Sequence, residues 1–232
     1  MKTKILFLAA ILILSAISPS FAVNEPPQGG KLPNGGFSNY GMQEDIYIDK
    51  ETYKLYKKIS KDDRIIQAIE TMKGGLGDYS RRAILGENLT GKPVKVEFRD
   101  LAQLNPIYYN FDALGWKQKD QLYIFINQKH QDAPKEALAS VLSHEAIHQD
   151  ELNSINEETY CWTLEAAAWT EFTEKEPNLE NINHPLVDRE NTIKRLFMKG
   201  NYTDKYIRKS VMSNAGYQTL PSRSPGFEDE NL

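Results

Sequence analysis

The run Ser143-His144-Glu145-Ala146-Ile147-His148 constrains this chain more than any other short stretch in it. Two histidines four apart share a side of the backbone on a helix, where they stand one turn above each other. That spacing lets both imidazoles reach one tetrahedral metal ion at about 2.0–2.1 Å. Glu145 follows the first histidine and points toward the same cleft. A zinc-bound water has a pKa of about 7 rather than about 16, so a neighbouring carboxylate can take its proton at neutral pH. The pattern therefore asks for a helix here, a third donor from elsewhere in the chain, and a core that holds them together.

The surrounding sequence reads as α+β: a small mixed sheet packed on the histidine-bearing helix, with further helices. Asp132 and Pro134 mark a helix start, Glu136 suits its positive end, and Leu138, Val141 and Leu142 give it a buried face. This helix is expected to run to about Asp150. A second is expected from about Asn156 to Phe172, and a third from about Pro185 to Met198, closed by Gly200. Upstream, Ser60 reads as the cap of a helix carrying Ile65, Ile66, Ile69 and Met72, stopped at Gly74 and Gly75. A short helix is expected over Asp78 to Leu85, ending at Gly86. Val94, Val96 and Phe98 alternate with charged residues, as in a half-buried strand. Leu122 to Ile126 is uncharged, β-branched and aromatic, a strand covered on both faces. Leu101 to Trp116 reads as irregular and aromatic.

The ends read differently. Lys2 and Lys4, the apolar run Ile5 to Ile17, and Ser20-Phe21-Ala22 form the pattern of a secretory signal peptide over residues 1–22. Residues 23–45, rich in Pro, Gly and Asn, read as a flexible leader. The folded domain is expected over 46–219, and a disordered acidic tail over 220–232. The chain is thus expected to be secreted or periplasmic, with no membrane contact after signal cleavage. With 28 Lys and Arg against 32 Asp and Glu, the net charge of −4 offers no basic field for nucleic acid. The single cysteine, Cys161, lies in a helical pattern and reads as a small buried apolar residue. Alone it forms no intramolecular disulfide.

From Leu122 to Trp169 the chain resembles a compact gluzincin metallopeptidase. The resemblance rests on the HExxH motif and on the following stretch Asn153-Ser154-Ile155-Asn156-Glu157-Glu158-Thr159-Tyr160-Cys161. The metzincin alternative needs a third histidine six residues after His148, where Ser154 stands. The resemblance implies a zincin-like fold, one zinc ion, and a glutamate ligand from the helix after the motif. Glu157, Glu158 and Glu165 are available, with Glu165 the last choice. Members of the family tend to carry a small residue three positions after the ligand. Glu158 has Cys161 there and Glu157 has Tyr160, which favours Glu158 with Glu157 as the alternative. Helical spacing alone does not choose between them. Glu165, two turns on, is expected to support a ligand from behind.

The resemblance further implies a secreted peptidase in which His144, His148 and Glu158 hold zinc and Glu145 is the general base. Its partner would be a peptide or protein substrate. Two other functions fit the same residues: a zinc-holding binding or regulatory module with little activity, and a zinc hydrolase of a non-peptide amide or cell-wall fragment. His184, Tyr202, Tyr206 and Tyr217 are candidates to stabilise an oxyanion, with a helix cap as the simpler role for His184. His130 reads as an exposed residue at a strand end. The family's fold would place Leu122–Ile126 at the sheet edge beside the cleft, open to strand addition by a substrate.

Overall fold

The computed structural model describes residues 45–225 and residue 227. The signal-peptide pattern and all of the leader but Asp45 lie outside these residues. The fold is α+β: seven α-helices and a three-stranded sheet among the described residues. The strands are β1 (Lys95–Arg99), β2 (Ala113–Gln118) and β3 (Gln121–Asn127), in the order β1-β3-β2. β3 pairs in parallel with β1, with Val96 opposite Ile124, and antiparallel with β2, with Gly115 opposite Ile124.

This order corrects the expected placement of 122–126. The segment is the central strand and has no free edge. Its unbroken apolar run suits a strand buried on both faces, which is the middle position. The edge strands are β1 and β2, and β2 begins within the stretch read as irregular. Gly115 and Lys117 weaken its strand signal, yet its pairing with β3 runs from Ala113 to Gln118.

The helices before the motif are α1 (Lys50–Tyr56), α2 (Asp63–Thr71) and α3 (Asp78–Leu85). Asp62, not Ser60, caps α2: its carboxylate accepts from Arg64 N–H, and Ser60 is buried. Next come α4 (Lys135–Glu145), α5 (Ile155–Lys175), α6 (Pro185–Lys199) and α7 (Lys205–Ser213). α4 ends earlier than Asp150. Ser80 Oγ donates to the Ser143 carbonyl at 2.7 Å, while Ile147 N–H bonds to His144 O at 3.1 Å, a three-residue step that closes the helix. His148 therefore sits just past the helix end.

α5 starts on an S-x-x-E pattern. Ser154 Oγ accepts from Glu157 N–H at 3.1 Å, which is half of a capping box. The Glu157 carboxylate does not return to Ser154 N–H, which donates to Asn153 Oδ1 at 2.6 Å. It is free to turn toward His148.

Three apolar clusters hold these elements. The largest joins α2, α3, α4 and one sheet face, with Trp169 and Phe172 of α5. A second packs Trp162 of α5 against Ile193, Ile207, Val211 and Tyr217. The third covers the other sheet face with Leu101, Tyr108, Phe111, Leu114 and Phe125, so much of the aromatic stretch 108–116 is core. The expected tail is anchored at its start: Ile155 N–H bonds to Pro221 O at 2.9 Å, and Ser224 is buried. Among the described residues no helix is long and apolar enough to cross a membrane.

Candidate metal centre

α4 and α5 pack side by side and bring the predicted residues together. The His144 and His148 rings lie 5.3 Å apart, and both residues are buried. Each ring is held from behind by a carboxylate of α5. Glu165 Oε2 lies 3.0 Å from His144 Nδ1, and Glu157 Oε1 lies 2.9 Å from His148 Nδ1. A carboxylate on Nδ1 fixes the tautomer that leaves the Nε2 lone pair free, the arrangement that supports a metal-bound histidine.

Glu158 faces both free nitrogens. Its Oε2 lies 3.7 Å from His144 Nε2, and its Oε1 lies 3.6 Å from His148 Nε2. Each separation is near the roughly 3.4 Å between donors on one tetrahedral ion, with a different carboxylate oxygen facing each histidine. Asn153 Nδ2 donates to Glu158 Oε1 at 2.5 Å and orients the carboxylate. Glu157 is bound to His148 and accepts from Ser224 Oγ at 3.0 Å, so it backs a histidine and does not face the gap.

Cys161 is the donor that sequence reading missed. A ring nitrogen of each histidine and the Cys161 sulfur all lie within 4.8 Å of one another. The buried group His144, His148 and Cys161 could hold a metal ion. Glu158 and Cys161, three residues apart on one face of α5, are thus both donors placed beside the histidines. The signal for Cys161 was present: the spacing that marks it as small also turns its sulfur toward the histidines.

The polar atoms left without partners test whether the residues fit an ion. His144 Nε2, His148 Nε2, Glu158 Oε2 and both oxygens of Glu145 are buried and make no hydrogen bond. Buried polar atoms rarely stay unpaired, and a cluster of them is what a metal ion with its bound water satisfies. Burial pushes the Glu145 carboxyl up, opposed by His144 and His148. Burial works to lower His148, but Cys161, Glu157 and Glu158 outweigh it and raise it well above its ordinary value. Burial pushes the Cys161 thiol up to about 12.

Behind Glu165 lies a charge network with no local sequence signal. Arg189 of α6 bonds to both Glu165 oxygens, and its Nε lies 3.2 Å from Asp112 Oδ2. Asp112 Oδ1 meets His130 Nε2 at 2.7 Å. His130 is buried, not exposed, because it closes this chain of contacts. His184 caps α6 by accepting from Leu186 N–H at 3.0 Å, and its ring lies 5.5 Å from His130. Of the tyrosines, Tyr217 alone belongs to the site. It is fully buried, and burial with nearby Glu158 raises its hydroxyl well above the ordinary range. Tyr202 is exposed, and Tyr206 lies under Lys199, Lys205 and Lys209.

Gly115 of β2 is the sheet's contact with the centre. A side chain there would put its Cβ 3.3 Å from His148 Cβ and 3.5 Å from Glu145 Oε2. Gly115→Val is expected to cost about 1–3 kcal/mol of stability by overpacking and to weaken metal binding. Denaturant melts and a chelator competition on one preparation check both; unchanged metal affinity would show that β2 does not shape the centre. No protein-family model, curated protein or solved structure matches the chain.

Proposed function

We propose that the chain is an exported zinc peptidase of the gluzincin kind, with a zincin-like fold. The observation that carries this reading is that His144 Nε2, His148 Nε2, Glu158 Oε2 and both Glu145 oxygens are buried and unpaired, with the Glu158 carboxylate 3.7 and 3.6 Å from the two histidine nitrogens. In this reading His144 Nε2, His148 Nε2 and Glu158 hold one zinc ion. When bound, zinc supplies Lewis acidity to the scissile carbonyl and lowers the pKa of a bound water. Glu145, unpaired and on the helix that carries His144, is the residue that would accept a water proton at the site and pass it to the leaving amine. Glu165 and Glu157 fix the imidazoles. Tyr217 keeps its phenolic proton and offers it to the oxyanion that develops on the carbonyl. Export follows from the signal pattern of residues 1–22.

The test is Glu145→Gln, which preserves size but cannot accept a proton. The variant is expected to keep one zinc per chain and to lose at least about a hundredfold of turnover on a mixed peptide library, the scale of general-base catalysis. Undiminished turnover in the zinc-loaded variant would remove Glu145 from the mechanism. One observation favours a second reading, a zinc-holding module with little activity: Cys161 offers a fourth protein donor.

A further inference from the structure

We propose that the Cys161 thiolate is a fourth protein ligand of the centre, closing the coordination position that a reactive water would need. The inference rests on the zinc reading above and adds a latent resting state to it. Three observations support it. The Cys161 sulfur lies within 4.8 Å of a ring nitrogen of both histidines. The neighbouring donors His144 Nε2, His148 Nε2 and Glu158 Oε2 are buried and unpaired, so the sulfur borders a gap built for a cation. Cys161 is also fully buried, three residues after Glu158 on the same helix.

The chemistry is simple exchange. As a ligand Cys161 would be a thiolate, its proton released to solvent in exchange for a bound water, with no change of oxidation state. His144, His148, Glu158 and Cys161 would then give zinc four protein donors, the closed pattern of zinc sites that do no hydrolysis. Glu145 then has no water to activate until the sulfur is displaced. A substrate carbonyl or an added ligand that takes the sulfur's place opens the centre.

X-ray absorption at the zinc edge of the full chain, purified and loaded with zinc alone, tests the proposal. The expected result is one sulfur at about 2.3 Å beside nitrogen and oxygen at about 2.0–2.1 Å. In Cys161→Ser the sulfur shell is expected to vanish while one zinc is retained. A wild-type chain holding one zinc with no sulfur shell overturns the proposal and leaves the peptidase reading standing. A sulfur shell that survives in Cys161→Ser overturns it as well. A chain that binds no zinc removes the peptidase reading itself. The wild-type spectrum decides the matter even where the variant fails to fold.

Discussion

Glu158→Ala is expected to cost several orders of magnitude in zinc affinity, and Glu157→Ala only about 10–100-fold. The two residues are adjacent on α5, so their side chains diverge by about 100°. The structure gives them different neighbours. Glu158 faces both free Nε2 atoms at 3.7 and 3.6 Å, whereas Glu157 is bonded to His148 Nδ1 and Ser224 Oγ. Loss of Glu158 removes a donor; loss of Glu157 leaves His148 in place with a looser ring. Titration against a chelator of known affinity separates the two. The reverse order would transfer the donor role to Glu157, and equal, small effects would hand it to Cys161.

The largest stability effect is expected at Arg189. Its side chain is 11% exposed and serves Glu165, Asp112 and Glu190 together. Arg189→Met removes the cation and leaves buried carboxylates without it, which costs about 3–5 kcal/mol. Burial pushes Glu165 up, but the charges of Arg189 and His144 prevail and hold it at about 2. Asp112 likewise lies well below the ordinary range, burial being outweighed by His130 and Arg189. A lowered carboxylate adds stability above its unfolded pKa of about 4, which is lost as pH falls toward the folded value. Wild-type stability should therefore drop between about pH 4 and pH 2, and Arg189→Met should flatten that drop. Urea melts across this range measure both. A wild-type curve that is level below pH 4 would refute the assignment.

The sequence announced the centre better than its surroundings. His144, Glu145 and His148 were legible because helical period and donor chemistry coincide in six residues. Glu158 was favoured over Glu157 only by the small residue three positions on, a habit of the family the stretch resembles, and Glu165 by its place two turns along the same helix. The α3 boundaries were legible for a local reason too, an acidic start at Asp78 and a glycine stop at Gly86. What was missed depends on contacts far apart in the chain. Arg189 reaches Glu165 across 24 residues, and His130 reaches Asp112 across 18. β2 carries a glycine where the His148 side chain presses against it, so its packing requirement erased its strand signal. α4 stops early because Ser80, 63 residues upstream, bonds to its last turn.

α5 alone supplies Glu157, Glu158, Cys161 and Glu165, so four of the groups around the two histidines ride on a single 21-residue rod, while Glu145 shares α4 with His144. The rod cannot slide or tilt for one of them without moving all four. In the proposed centre an ion bound between α4 and α5 would act as a rivet, adding to the apolar packing of Trp162, Trp169 and Phe172 that already holds α5. Amide hydrogens of both helices are expected to exchange together, as one unit, when zinc is withdrawn.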